Sequence, residues 1–194
     1  MANFIHLDSI SRDREQYPNP FDYELTPQQV NSWFRSARTV RAHPQNPSTQ
    51  PLDFVSTINI RHIILPYNAR FASLPILYIN FRSRDYKDIH LIQTIDGVHP
   101  NSNFICEWDK IQENDSGQPL WIHYKCNMEQ TMRFTRDRPV IFQITTRDGN
   151  PLPGTDNLPP QNPDPLQQSL CTFEITTYLR DRDYDNHLLE PLTS

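Results

Sequence analysis

Apolar and polar positions alternate with a period of two along most of the chain, the mark of half-buried β-strands. Phe21, Tyr23 and Leu25 alternate with Asp22 and Glu24, which predicts a strand with one aromatic face. Phe54 to Leu65 is rich in β-branched residues and is closed by Pro66. Pro75 to Phe81 is almost wholly apolar, as expected of a strand buried on both faces. Phe104, Cys106 and Trp108 alternate with Ile105, Glu107 and Asp109, and Leu120, Ile122, Tyr124 and Cys126 alternate with Trp121, His123 and Lys125. Val140, Phe142 and Ile144 repeat the pattern, as do Cys171, Phe173, Ile175, Thr177 and Leu179. Met132 and Phe134 suggest a shorter strand, and one of the strands is an edge candidate.

One segment has the helical period instead. Thr26 is a good N-cap, Pro27 takes the first helical position, and Gln29 completes a capping box. Val30, Trp33, Phe34 and Ala37 then form one apolar stripe, and Arg35, Arg38 and Arg41 lie towards the C-terminal end, where the dipole favours cations. The stripe is expected to dock on the sheet. About eight strands with a single strong helix predict a mostly β chain, an antiparallel β-sandwich. Eight strands fit a single jelly roll, with an immunoglobulin-like topology as the other option.

Proline sets the punctuation. Tyr17-Pro18-Asn19-Pro20-Phe21 predicts a rigid turn, residues 42–52 hold three prolines, and residues 148–169 hold six between two strands. A connection as long as the last is unusual in a compact domain, so it reads as a stiff loop lying on a neighbour or as a solvated surface loop. The expected layout is an extended N-terminal arm over residues 1–20 and a jelly-roll sandwich over 21–180. The helix would span about 27–38, and a polar tail would follow over 181–194.

Composition narrows the function. The chain has 194 residues, enough for one domain that buries about 70 % of its unfolded surface. Its net charge of −5 argues against a nucleic-acid coat, which carries a basic excess. Only 4 Gly stand against 18 Pro, a balance suited to stiff extended segments rather than phosphate-cradling loops. Arginine outnumbers lysine by 15 to 3, the bias of a protein interface, although codon usage gives the same ratio. Cys106, Cys126 and Cys171 form an odd, widely spaced set, which suggests reduced thiols in a cytosolic setting. The first residues do not read as a secretory signal, and no apolar run approaches the ~20 residues of a membrane helix.

Catalytic patterns do not assemble. There is no G-x-S-x-G elbow, P-loop or G-x-G-x-x-G string, so neither an enzyme nor a cofactor is expected. The cysteines share the inward parity of their strands and read as small core residues. His123 and Cys126, three apart on a strand, point to opposite faces, against a metal site. Asp181, Asp183 and Asp185 imitate the start of a calcium loop, but the glycine and the final glutamate that such a loop needs are absent. The triplet Arg-Asp-Arg occurs at residues 12–14, 136–138 and 180–182. Its guanidinium forks can clamp partner carboxylates or form weak surface pairs, and the interface reading is favoured for the first, which lies in the arm.

That arm also carries the most specific string in the chain. Asp8-Ser9-Ile10-Ser11-Arg12-Asp13-Arg14-Glu15-Gln16-Tyr17-Pro18-Asn19-Pro20-Phe21-Asp22-Tyr23 resembles the opening of minor capsid proteins of nucleocytoplasmic large DNA viruses, the chlorella-virus group among them. Ser56–Pro66, Pro75–Arg82 and Pro139–Pro151 look like successive strands of that family. The resemblance implies a single jelly roll that cements major capsid protein capsomers in an icosahedral shell, without catalysis or cofactor. It implies major and other minor capsid proteins as partners, a place in the virion on the inner side of the shell, and assembly in the host cytoplasm. A homo-oligomer and contact with an internal viral membrane stay open, while no specific nucleic acid is expected. By position, Asp8, Arg12, Asp13, Arg14, Tyr17, Pro18, Asn19, Pro20 and Phe21 form the candidate partner-contact segment. Two other readings stand beside it. One is a vertex (penton) protein of the same fold. The other is a carbohydrate- or ligand-binding sandwich with Trp108, Trp121 and Tyr124 as its platform.

Overall fold

A computed structural model of the chain describes residues 3–33, 53–84, 91–92, 102–135, 138–154 and 163–179. Nine strands run through them: β1 (Asn3–Asp8), β2 (Asp22–Leu25), β3 (Asp53–Pro66), β4 (Ile76–Ser83), β5 (Phe104–Glu113), β6 (Pro119–Cys126), β7 (Glu129–Thr135), β8 (Val140–Thr145) and β9 (Leu170–Leu179). Two short helices, α1 (Pro27–Trp33) and α2 (Ala69–Ala72), accompany them. The chain is mostly β, and every pairing between strands is antiparallel.

The strands form one curled sheet in the order β1-β9-β3-β6-β5-β4-β8-β2, with β7 beside β3. The long β3 pairs along one side with β9; on its other side Asp53–Asn59 meets β7 and His62–Pro66 meets β6. The curl brings the inner faces of the two halves together. Phe81 on β4 packs against Phe173 on β9 at 5.4 Å and Phe134 on β7 at 6.2 Å between ring centroids. Trp33 of α1 stacks on Phe81 at 6.2 Å and meets Phe173 edge-on at 5.3 Å, so the helix plugs the space between the halves.

The predicted helix start is present. Gln29 Nα donates to Thr26 Oγ1 at 3.4 Å and Thr26 Nα donates to Gln29 Oε1 at 2.8 Å, a reciprocal capping box. Val30 and Trp33 are buried; Phe34, Ala37 and the three arginines that follow lie outside the described residues.

Alternation fails where the sheet bulges. Ile58 and Ile60 point inward, but so do Ile63 and Leu65, because the β3–β9 register slips at Arg61 and reverses the parity. On β5, Phe104 and Cys106 are buried, and Trp108 keeps their face opposite Tyr124 but is 44 % exposed, just ahead of a slip between Trp108 and Lys110. Three cysteines point into the core, as their parity predicts, and all are free thiols.

The boundary drawn at residue 20 does not follow the sheet. β1 pairs with β9 from Asn3↔Ile175 to Asp8↔Leu170, so the first residues belong to the body rather than to an arm outside it. Phe4, 64 % exposed, lies on the outward face of β1 and obscures the alternation there. No helix among the described residues is long and apolar enough to cross a membrane.

Candidate partner-contact surface

The segment from Asp8 to Phe21 and the two described ends of the proline-rich loop, far apart in sequence, form one packed unit. Asp8 ends β1 and caps a 3-10 turn over Ser9–Ser11, its Oδ1 accepting from Ile10 Nα at 2.9 Å. Ser9 Nα donates to the Ser169 carbonyl at 3.0 Å, and Ser169 Nα donates back to Ser9 Oγ at 2.9 Å. The turn is thereby held to the chain just ahead of β9.

Arg12 is the centre of this unit. Only 5 % of its surface is exposed. Its Nε donates to the Tyr17 carbonyl at 2.7 Å and its Nη2 to the Pro18 carbonyl at 3.0 Å. Its Nη1 reaches both the Ser9 carbonyl and Gln168 Oε1 at 2.6 Å. A planar fork with several fixed donors suits this task, and a lysine would not. The expectation that Arg12 clamps a partner's carboxylate is therefore corrected. Its donors are engaged inside the chain, because a buried guanidinium must find acceptors close by. Asp13 is exposed and likewise local, its Oδ1 accepting from Glu15 Nα and Gln16 Nα, both at 3.1 Å. Arg14 is half-buried. The other two Arg-Asp-Arg triplets fall wholly or mostly outside the described residues, as does the Asp181–Asp185 run.

The Tyr17–Phe21 turn rests on the other end of the loop. Asn19 Nδ2 donates to the Leu152 carbonyl at 2.8 Å, and Asn19 Oδ1 accepts from Phe21 Nα at 3.0 Å. Leu152 is buried and its Nα donates to the Ile144 carbonyl at 2.8 Å, which holds the loop to β8. Ser169 Oγ donates to the carbonyl of the buried Pro20 at 2.8 Å. The Phe21 ring packs edge-on against Phe71 of α2 at 5.4 Å. Gly154 also lies against that ring: a Cβ there would sit 2.5 Å from Phe21 Cε2. Tyr17 is half-buried, and burial followed by its hydrogen bond to Glu24 raises its phenol above the ordinary value.

What this unit leaves to solvent is a short face. Ile10, Ser11, Asp13, Glu15, Gln16 and Pro18 are exposed, whereas Ser9, Arg12, Pro20 and Phe21 are not. Sequence reasoning missed Gln168, Ser169, Leu152 and Gly154, whose roles depend on contacts made across the fold. The one signal for Gly154 is its rarity, as one of 4 glycines in the chain.

Other candidate chemistry is not brought together. Tyr124 is fully buried, its hydroxyl donating to the Phe71 carbonyl at 2.8 Å and the Leu74 carbonyl at 3.1 Å. It cannot join Trp108 and Trp121 in a sugar platform, a correction that follows from the inward parity of its strand. His123 is half-buried and Cys126 buried, on opposite faces of β6. No group of three or more potential metal ligands occurs among the described residues. No protein-family model and no curated protein matches the chain.

Proposed function

We propose that this chain is a structural minor capsid protein, a single jelly roll that cements major capsid protein capsomers in the shell of a large icosahedral DNA virus. The observation that carries the fold reading is a nested set of strand pairs. β1 pairs with β9, β2 with β8, β3 with both β6 and β7, and β4 with β5. Such pairing is that of one long hairpin rolled over on itself. β1-β9-β3-β7 and β2-β8-β4-β5 face each other across the curl of one continuous sheet, with β6 joining β3 to β5, and this nesting supports the jelly-roll reading.

A fold alone does not name a function. The capsid role rests on the string Asp8–Tyr23, with its resemblance to minor capsid proteins. Physical chemistry supports a role in assembly. A proline-stiffened turn braced from both sides loses little entropy when a partner settles on it. Its exposed face then offers polar and acidic side chains in a fixed arrangement. Many copies in a closed lattice need only moderate contacts each, because linked contacts reinforce one another.

The test is immunodetection of this chain in purified virus particles after removal of genome and membrane. Retention in the shell is expected; a chain that leaves with the genome or membrane fraction, or is absent, overturns the reading. Mass measurement of the purified chain then separates the two capsid roles, since a stable pentamer indicates the vertex.

A further inference from the structure

An open cleft of about 390 Å³ lies on the outer face of the sheet, away from the Asp8–Phe21 unit. Arg61 and His62 of β3, Asp109 and Lys110 of β5, and His123 and Lys125 of β6 line it. Strand geometry explains the convergence. His123 and Lys125 occupy outward positions of β6, and β6 runs between β3 and β5. Each flanking strand has a register slip at the cleft, between Ile60 and His62 on β3 and between Trp108 and Lys110 on β5. Those slips free Arg61 and Asp109, and a bulge is a device that re-aims side chains.

The charge is also concentrated. The chain carries a net −5 and only three lysines, yet two of them meet here with an arginine and two histidines. Arg61 pairs with Glu174, and Lys125 Nζ with Asp109 at 2.6 Å. Lys110 pairs with no acid among the described residues, which leaves the cleft with a cationic excess. Glu174 and Asp109 match two of these cations across neighbouring strands, and Lys110 is the excess.

We propose that the cleft binds a phosphate-type oxyanion, held by Lys110 and Lys125 with the imidazoles of His62 and His123. His123 Nε2 already meets Gln112 Oε1 at 2.9 Å, so its Nδ1 is the atom left for the anion, a donor once the ring is protonated. A carboxylate fits less well. Its planar pair of oxygens suits an arginine fork, and the fork of Arg61 already faces Glu174. Ammonium and imidazole donors from three strands approach from different directions, as a tetrahedral anion needs. The groups facing the two histidines are His6 and Lys125 for His62, and Lys110, Asp109 and His62 for His123. Protonating either imidazole adds a positive charge beside the anion, so affinity rises as pH falls. The site does not rest on the capsid reading, and either can fail alone.

Calorimetric titration of inorganic phosphate into the purified full chain at low salt tests this. Saturable binding with a Kd below about 1 mM is expected. Lys110→Gln and His123→Gln should each weaken it by about tenfold with an unchanged melting temperature, while Arg133→Gln on the outward face of β7 should not. Sulfate, whose charge is constant, should bind more tightly at about pH 6 than at about pH 7.5. A second arm uses phosphatidylcholine vesicles with and without a phosphoinositide. Co-sedimentation that free phosphate competes away assigns a lipid headgroup; its absence assigns a soluble phosphate. No saturable binding by the wild-type chain, or equal binding by Lys110→Gln, overturns the proposal.

Discussion

Arg12 and Gln168, 156 positions apart in the chain, meet through a 2.6 Å hydrogen bond from the guanidinium Nη1 to the amide Oε1. That contact joins the turn after β1 to the chain before β9, and the same guanidinium holds three backbone carbonyls. Arg12→Ala leaves those acceptors buried without their donors. Such a loss should destabilise the fold by about 3 kcal/mol, read as a lower urea midpoint. Arg12→Lys should recover little of it, since an ammonium cannot reach the four acceptors in one plane.

Gly154 and Phe21 make a second testable pair. Gly154→Ala places a methyl group 2.5 Å from Cε2 of Phe21, a residue 2 % exposed whose ring also packs on Phe71. Overpacking of this kind should cost about 1–3 kcal/mol in thermal unfolding. Phe21→Leu in the same chain should relieve part of the clash, so the two substitutions should not be additive. Additive losses would mean that the ring moves aside freely.

Stability should fall in mild acid because of His62 and His123. Burial, then His6, holds the His62 imidazole below its ordinary 6.5. Burial, then Lys110 and His62, does the same to His123, with Asp109 opposing. Each folded-state value lies below the unfolded one, so the unfolded chain binds more protons as pH drops through about 6.5. Stability is therefore full above that value and declines below it. Urea midpoints at about pH 7.5 and about pH 5.5 should show the decline, and the double variant His62→Gln/His123→Gln should reduce it. The window lies above the ordinary carboxylate range near 4.

The three thiols should be silent in the native chain. Cys106 and Cys126 face each other across β5 and β6, and Cys171 is buried on β9. A hydrogen bond with Cys126, then burial, holds the Cys106 thiol well above its ordinary value, and burial does the same for Cys171. The same bond holds Cys126 below its ordinary value, so its silence rests on burial at 2 % exposure. Only a thiolate reacts quickly with a disulfide reagent. Ellman's reagent should find no fast thiol under native conditions and all three in denaturant. Rapid native modification of Cys171 would contradict the packing.

The strands read from the sequence are present, from Asp22–Leu25 to the last: most have one buried face, repeated every second residue, while β4 is buried on both faces and reads as an apolar run. β1 escaped notice for a physical reason: Phe4 lies on its outward face while Leu7 lies inward, so its apolar positions have no single parity. The slips at Arg61 and beside Trp108 were equally hidden. A bulge adds one residue without any change in residue type, and only the partner strand reveals it. Within the contact segment, the rigid Pro18-Asn19-Pro20 turn was legible; the burial of Arg12 was not, since a charged residue in a polar stretch reads as exposed.

By itself, then, the sequence determined the mostly β class, the facing of most strands, the inward cysteines and the capping box at Thr26 and Gln29. These depend on neighbours a few residues away, where period and hydrogen-bonding chemistry act locally. Tertiary structure alone decided which strands pair and that Asp8–Phe21 packs within the fold. It also decided that Gln168 and Gly154 brace the segment, and that cations from three strands share a cleft. Those outcomes turn on contacts between residues as distant in the chain as Asn3 and Ile175, and local periodicity carries no record of a strand's distant neighbour.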